Sequence, residues 1–134
     1  MDIQQIIDFC DSLPETEQSF PFDEQSLVIK VNHKIFAILS LNSEQPSINL
    51  KCNSEIIDEL RAVYPSILPG YHMNKKHWNT VMLDGTIQAD YILILICHSY
   101  LMVIEKMTVK DKTRIKKALN EVNQFRADIK VLLK

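Results

Sequence analysis

Three alternating runs follow one another between Ser26 and Cys52, and they constrain the fold of this chain more than any other feature. In Ser26 to Val31, Leu27, Ile29 and Val31 fall on one face. In Lys34 to Leu41 the same face takes Ile35, Ala37, Leu39 and Leu41, and in Ser47 to Cys52 it takes Ile48, Leu50 and Cys52. A period of two is the signature of a half-buried strand, and it assigns every side chain to a face. Only Asn32 and His33 separate the first two runs, and Asn tolerates the left-handed backbone of a tight turn. An antiparallel meander follows. Its second face would carry Lys30, Lys34, Phe36, Ser40, Asn49 and Lys51, an open or half-covered surface.

Helices are expected before and after this meander in the chain. Ile3, Ile6, Ile7 and Cys10 give one apolar stripe over residues 2–11. Pro14 ends that helix, because the residue before proline is pushed out of the α region. The two Phe of Phe20-Pro21-Phe22 are expected to anchor the connection to the core. A short helix capped by Asn53 or Ser54 runs to Pro65 on the stripe Ile56, Ile57, Leu60. A long apolar one spans about Gln88 to Lys106 behind a Thr86 cap, and a basic one about Val109 to Leu132 behind Thr108. The result is a two-layer α+β domain with about five antiparallel strands, helices on one face, and an extra C-terminal basic helix.

The 134 residues set a one-domain size. No signal-peptide pattern opens the chain, and its longest apolar run, Tyr91 to Cys97, is far short of the ~20 residues a membrane span needs. Cys10, Cys52 and Cys97 are widely spaced and form no CxxC motif, so reduced thiols and a cytoplasmic setting are expected. Net charge is only −2, but residues 1–24 hold seven acids and no Lys or Arg, whereas residues 108–134 hold eight bases and three acids.

The stretch from Pro69 to Gly85 is the most individual. It contains both glycines, the single Trp, two of the four His and the Lys75-Lys76 pair. Turn signals at Pro69-Gly70 and Asp84-Gly85 bracket two expected strands, Tyr71 to Met73 and Trp78 to Leu83, joined by Asn74-Lys75-Lys76-His77. Lysines at a hairpin tip neutralise phosphates and release counterions, and Trp78, Tyr71 and Phe36 offer faces for stacking. The competing reading makes Trp78 core and the lysines solubilising. No nucleophile motif, phosphate-cradling loop or dinucleotide fingerprint occurs. His72 and His77 have no third ligand at a fixed spacing. No enzyme, metal or cofactor is expected.

Leu13-Pro14 with Glu17, Phe20-Pro21-Phe22, Lys30-Val31 with Lys34 and Phe36-Ala37, and Asn49 to Cys52 match a known pattern. So do Pro69-Gly70-Tyr71-His72-Met73-Asn74-Lys75-Lys76-His77-Trp78-Asn79-Thr80-Val81, Leu83-Asp84-Gly85 and Ser99-Tyr100. On these residues the chain resembles the MmcQ/YjbR family over residues 1–107, with 108–134 a helical extension packed on or continuing the same domain. The resemblance implies a frataxin-like (CyaY-like) fold and a "double-wing" DNA-binding role. Carried over, the contact residues are Lys30, Lys34, Lys51, Asn74, Lys75, Lys76, His77 and Trp78, with double-stranded DNA as partner. The alternative is a protein- or small-ligand-binding domain using the same face, with Trp78, Phe36 and His72 forming its pocket. Two departures from the family stand out. The acidic first 24 residues would repel phosphate if they lay beside the sheet face, and the basic C-terminal helix looks longer than the family's usual end.

Overall fold

A computed structural model describes residues 2–20, 25–41, 44–71 and 73–121. The elements are α1 (Ile3–Asp11), β1 (Thr16–Ser19), β2 (Ser26–Val31), β3 (Lys34–Ser40), β4 (Ser47–Lys51), α2 (Ile57–Val63), β5 (Ile67–Pro69), β6 (Trp78–Met82), α3 (Ala89–Ile104) and α4 (Val109–Asn120). The strands form one six-stranded antiparallel sheet in the order β1-β2-β3-β4-β6-β5. The fold is α+β as expected, with two strands the alternation did not mark. β1 is a polar, mostly exposed edge strand without an apolar face. β5 is Ile67–Pro69, so the expected strand at Tyr71 to Met73 is displaced: Tyr71 and Met73 lie in the connecting loop, and His72 falls outside the described residues.

Local chemistry explains the starts and stops. Asp2 caps α1 in a reciprocal arrangement with Gln5, satisfying two N–H groups that the first turn leaves free. Asn32 and His33 both take positive φ, 46° and 69°, the mirror-image turn whose twist suits a two-residue hairpin. Gly85, at φ 83°, fills the turn before α3. Thr86 does not cap α3; its hydroxyl bonds Asp84 and Ser66 instead, and Gln88 holds the N-cap position without a side-chain bond. Ile56 likewise precedes α2 without a side-chain cap, while Asn53 Oδ1 accepts from the Glu55 amide.

One strand departs from the period-two reading. Ile29 pairs with Ala37, but Lys30 pairs with Ile35, so Phe36 is the extra residue of a β-bulge. Phe36 therefore leaves the open face where alternation put it. It is fully buried on the helix side, edge-to-face with Tyr100 at 5.2 Å and 87°, and Ile35 turns outward instead. Phe20 also departs, lying half-exposed rather than anchored in the core; Phe22 falls outside the described residues.

α3 organises the core. It packs on β2, β3 and β4, and its residues Ile92, Leu95, Ile96, Cys97 and Ile104 are buried. Three consecutive polar side chains tie it to the other layer. His98 Nε2 accepts from the Asn53 amide at 3.0 Å. Ser99 Oγ accepts from the Lys51 amide at 2.8 Å and donates to the Phe36 carbonyl. The Tyr100 hydroxyl donates to the Pro14 carbonyl at 2.7 Å. Ser99 thus stands where the β3–β4 ladder, closed at Ala37–Leu50, opens beside the bulge. α4 adds Ile115 and Leu119 to the same core; Glu121 is its C-cap, and the rest of the expected helix, from residue 122 on, lies outside the described residues.

Candidate nucleic-acid interface

Register sorts the open face of the sheet into rows. One row is Ser26, Ser40, Ser47 and Met82; the next is Val28, Ile38, Asn49, Thr80 and Leu68. These two rows, with Pro69, Tyr71 and Met73, line a groove of about 660 Å³ that has no charged residue in its wall. The lysines come only in the third row and beyond. Lys30 lies between Glu17 on β1 and Ile35 on β3, and Lys51 ends β4 opposite Trp78. The expected lysine-bearing plane is therefore a lysine-bearing end, reached where β2 and β4 finish and β3 and β6 begin.

The hairpin tip belongs to that same end. The Cys52 amide, just past β4, donates to the His77 carbonyl at 2.7 Å. Asn74 shapes the tip: its Oδ1 accepts from the Lys76 amide at 2.9 Å, and its carbonyl accepts from the amides of His77 and Trp78. Asn74, Lys75 and Lys76 are exposed, whereas His77 and Trp78 are half-buried. Gly70 accommodates Trp78. A Cβ on Gly70 would stand 2.9 Å from both the Cβ and the carbonyl oxygen of Trp78, closer than real Cβ atoms come.

The residue that holds the tip was not marked in the sequence. Arg61, on α2, donates through Nη2 to the carbonyls of Lys75 and Trp78 and through Nε to Asn79 Oδ1 at 2.7 Å. A lone arginine on a short helix has no local signal; only the tertiary position of β6 gives it this role. Its side chain is 18% exposed, and Asp58 lies 3.7 Å away.

Charge is arranged less evenly than composition implies. The N-terminal acids are partly answered by the basic helix: Arg114 forks onto Glu15 at 2.7 and 2.8 Å and reaches Asp111 at 2.7 Å. That pairing holds the Glu15 carboxyl below the usual carboxylate range. Glu17 faces His33 at 3.1 Å. Glu105 is occupied by Lys112 and Lys116. Lys34 and Lys51, by contrast, share a depression of about 330 Å³ with Ile35, Val103, Met107 and a third lysine, Lys106, which no local sequence pattern marks. Burial, and then the charge of Lys106, hold the Lys51 ammonium below its ordinary pKa.

The structure thus brings Lys34 and Lys51 together. Lys30 stands one strand away, towards Glu17, and Lys75 and Lys76 occupy the tip. Among the described residues, no three His, Cys, Asp or Glu side chains gather in a way that would hold a metal ion, and no helix is long and apolar enough to cross a membrane.

Comparison with other proteins yields consistent matches. A model of the family described as YjbR matches residues 11–102. The Escherichia coli (strain K12) protein YjbR is 34% identical over 100 residues, spanning 75% of this chain and 85% of its own. The Escherichia coli O157:H7 protein YbdF is 36% identical over 104 residues, spanning 78% and 85%. Both are described only as uncharacterized. Among solved structures, one from Deinococcus radiodurans superposes with a TM-score of 0.80 at 38% identity, covering 85% of this chain and 87% of that one. A Pseudomonas syringae protein gives 0.65 at 34% identity, covering 74% and 96%.

Proposed function

The chain belongs to the YjbR family, and on that premise we propose that it is a non-enzymatic DNA-contacting module whose lysine-bearing end and hairpin tip grip the phosphates of a duplex. The supporting observation is that one end of the sheet gathers Lys34 and Lys51, with Lys75 and Lys76 on an exposed tip beside them. Contacts of this kind position a protein on a backbone without reading sequence. A ribbon tip is narrow enough to follow the backbone or enter a groove. Half-buried Trp78 braces the tip in this reading, and the uncharged groove takes no part.

Fluorescence anisotropy with a labelled duplex tests it. Affinity falls steeply with added salt, with a log–log slope of about −4 if four or five phosphates are neutralised. Lys75→Glu/Lys76→Glu weakens binding at least tenfold at low salt. Equal affinity for the two proteins, or no binding by the wild type, rejects the reading.

A further inference from the structure

We infer that the depression between the start of β3, the end of β4 and the last turn of α3 is a discrete site for a phosphate monoester, held by Lys34, Lys51 and Lys106. Three lysines line this one concavity, while Ile35, Val103 and Met107 supply an apolar wall. Among the described residues none of the three lysines has a carboxylate within ion-pairing distance, although Lys112, Arg114, Lys116 and Arg61 all do. Like charges gathered in a partly desolvated hollow raise the energy of the free protein, and a bound anion reverses that sign.

Burial first, and the charge of Lys106 after it, act against the Lys51 ammonium and hold its pKa below the ordinary value. The helix end does not oppose an anion strongly. The Val103 and Ile104 carbonyls accept from the Lys106 and Met107 amides, and the Glu105 carbonyl accepts from Lys112 Nζ at 3.4 Å.

Size and charge select the ligand class. A volume of about 330 Å³ lies at the small end of ligand sites and exceeds a bare phosphate, leaving room for a compact body against the apolar wall. Three point-charge donors match a dianion with three terminal oxygens better than a planar carboxylate with two or a diester with one charge. The monoester has two natural sources, a small phosphorylated molecule or the terminal phosphate of a nucleic-acid strand. This inference stands apart from the duplex reading, although both use Lys34 and Lys51.

Calorimetric titration of the intact protein with phenyl phosphate, at fixed ionic strength in chloride, is the test. The expected result is saturable binding at least tenfold tighter than that of diphenyl phosphate. Lys51→Met and Lys106→Met, which keep the apolar stems, each weaken it at least tenfold; Lys110→Met, on α4 and outside the cleft, leaves it unchanged. Lys75→Glu/Lys76→Glu also leaves it unchanged, which separates this site from the duplex contact. Paired oligonucleotides with 5′-phosphate and 5′-hydroxyl ends then identify the source. A gain from the 5′-phosphate that Lys106→Met removes points to a strand end; equal binding of the two, beside tight phenyl phosphate binding, points to a small molecule. Phenyl phosphate binding that is undetectable, no tighter than diphenyl phosphate, or indifferent to Lys51→Met and Lys106→Met overturns the site.

Discussion

His98 shows how much one side chain can commit. Its Nε2 accepts from the Asn53 amide, and its Nδ1 is buried without a hydrogen-bond partner. Burial lowers its pKa from 6.5 to about 4, so the fold holds the neutral ring. The unfolded chain takes up this proton below pH ~6.5, the folded one only near 4, so the contribution is complete above 6.5 and is lost as pH falls from there. The full loss is about 3 kcal/mol, of which about 2 kcal/mol falls between pH 7.5 and 5. Glu15, Glu105 and Asp111, whose carboxyls are lowered by their basic partners, act at more acid pH. Denaturant unfolding at pH 7.5 and 5 should therefore differ by about 2 kcal/mol in the wild type and much less in His98→Gln, which keeps an acceptor for Asn53. An equal pH dependence in both would show that His98 is not the titrating group. Nothing in the sequence around His98 signals this, because burial of one particular ring follows from tertiary packing.

Among the elements, the hairpin is held from behind by α2. Arg61→Met would leave the Lys75 and Trp78 carbonyls and the buried Asn79 side chain without that partner, a loss of about 1–3 kcal/mol in local opening. Native-state hydrogen exchange should speed up at the His77 and Trp78 amides while the middle of α3 keeps its protection; a uniform change would mean that the arginine supports the whole fold rather than the tip. Sequence legibility divides at this scale. The boundaries of β2, β3 and β4 were readable to within a residue because alternation fixes them. Alternation does not reveal the burial of Phe36, because a bulge inserts a residue without changing composition, and it does not mark β1, because an edge strand needs no apolar face. The turn signals locate the hairpin, but its first strand pairs at Ile67–Pro69 rather than at Tyr71 to Met73. Pro69, which lacks an N–H, is acceptable on the edge strand β5.

The whole molecule is more tightly joined than the family match alone conveys. That match stops at residue 102, yet α4 beyond it places Ile115, with no exposed surface, and Leu119 in the common core, and Arg114 bridges to Glu15 near the other end of the chain. Ile115→Ala should cost about 2–4 kcal/mol in chemical denaturation. Val109→Ala, at a position 76% exposed, should cost little. Similar losses at the two sites would mean that α4 is peripheral. The lysine-bearing site was legible only as residue types: Lys34 and Lys51 were named from their strands. Lys106 was not, because a helix terminus and a sheet end meet only in three dimensions.

The hydroxyl of Ser99 completes a rung that β3 and β4 leave open, passing a bond from the Lys51 amide to the Phe36 carbonyl. That rung therefore exists only while α3 is docked, and lifting α3 away breaks it. The seating of the helix and the last link between the two strands are thus coupled through one hydroxyl, beside the cleft that Lys51 shares with Lys106.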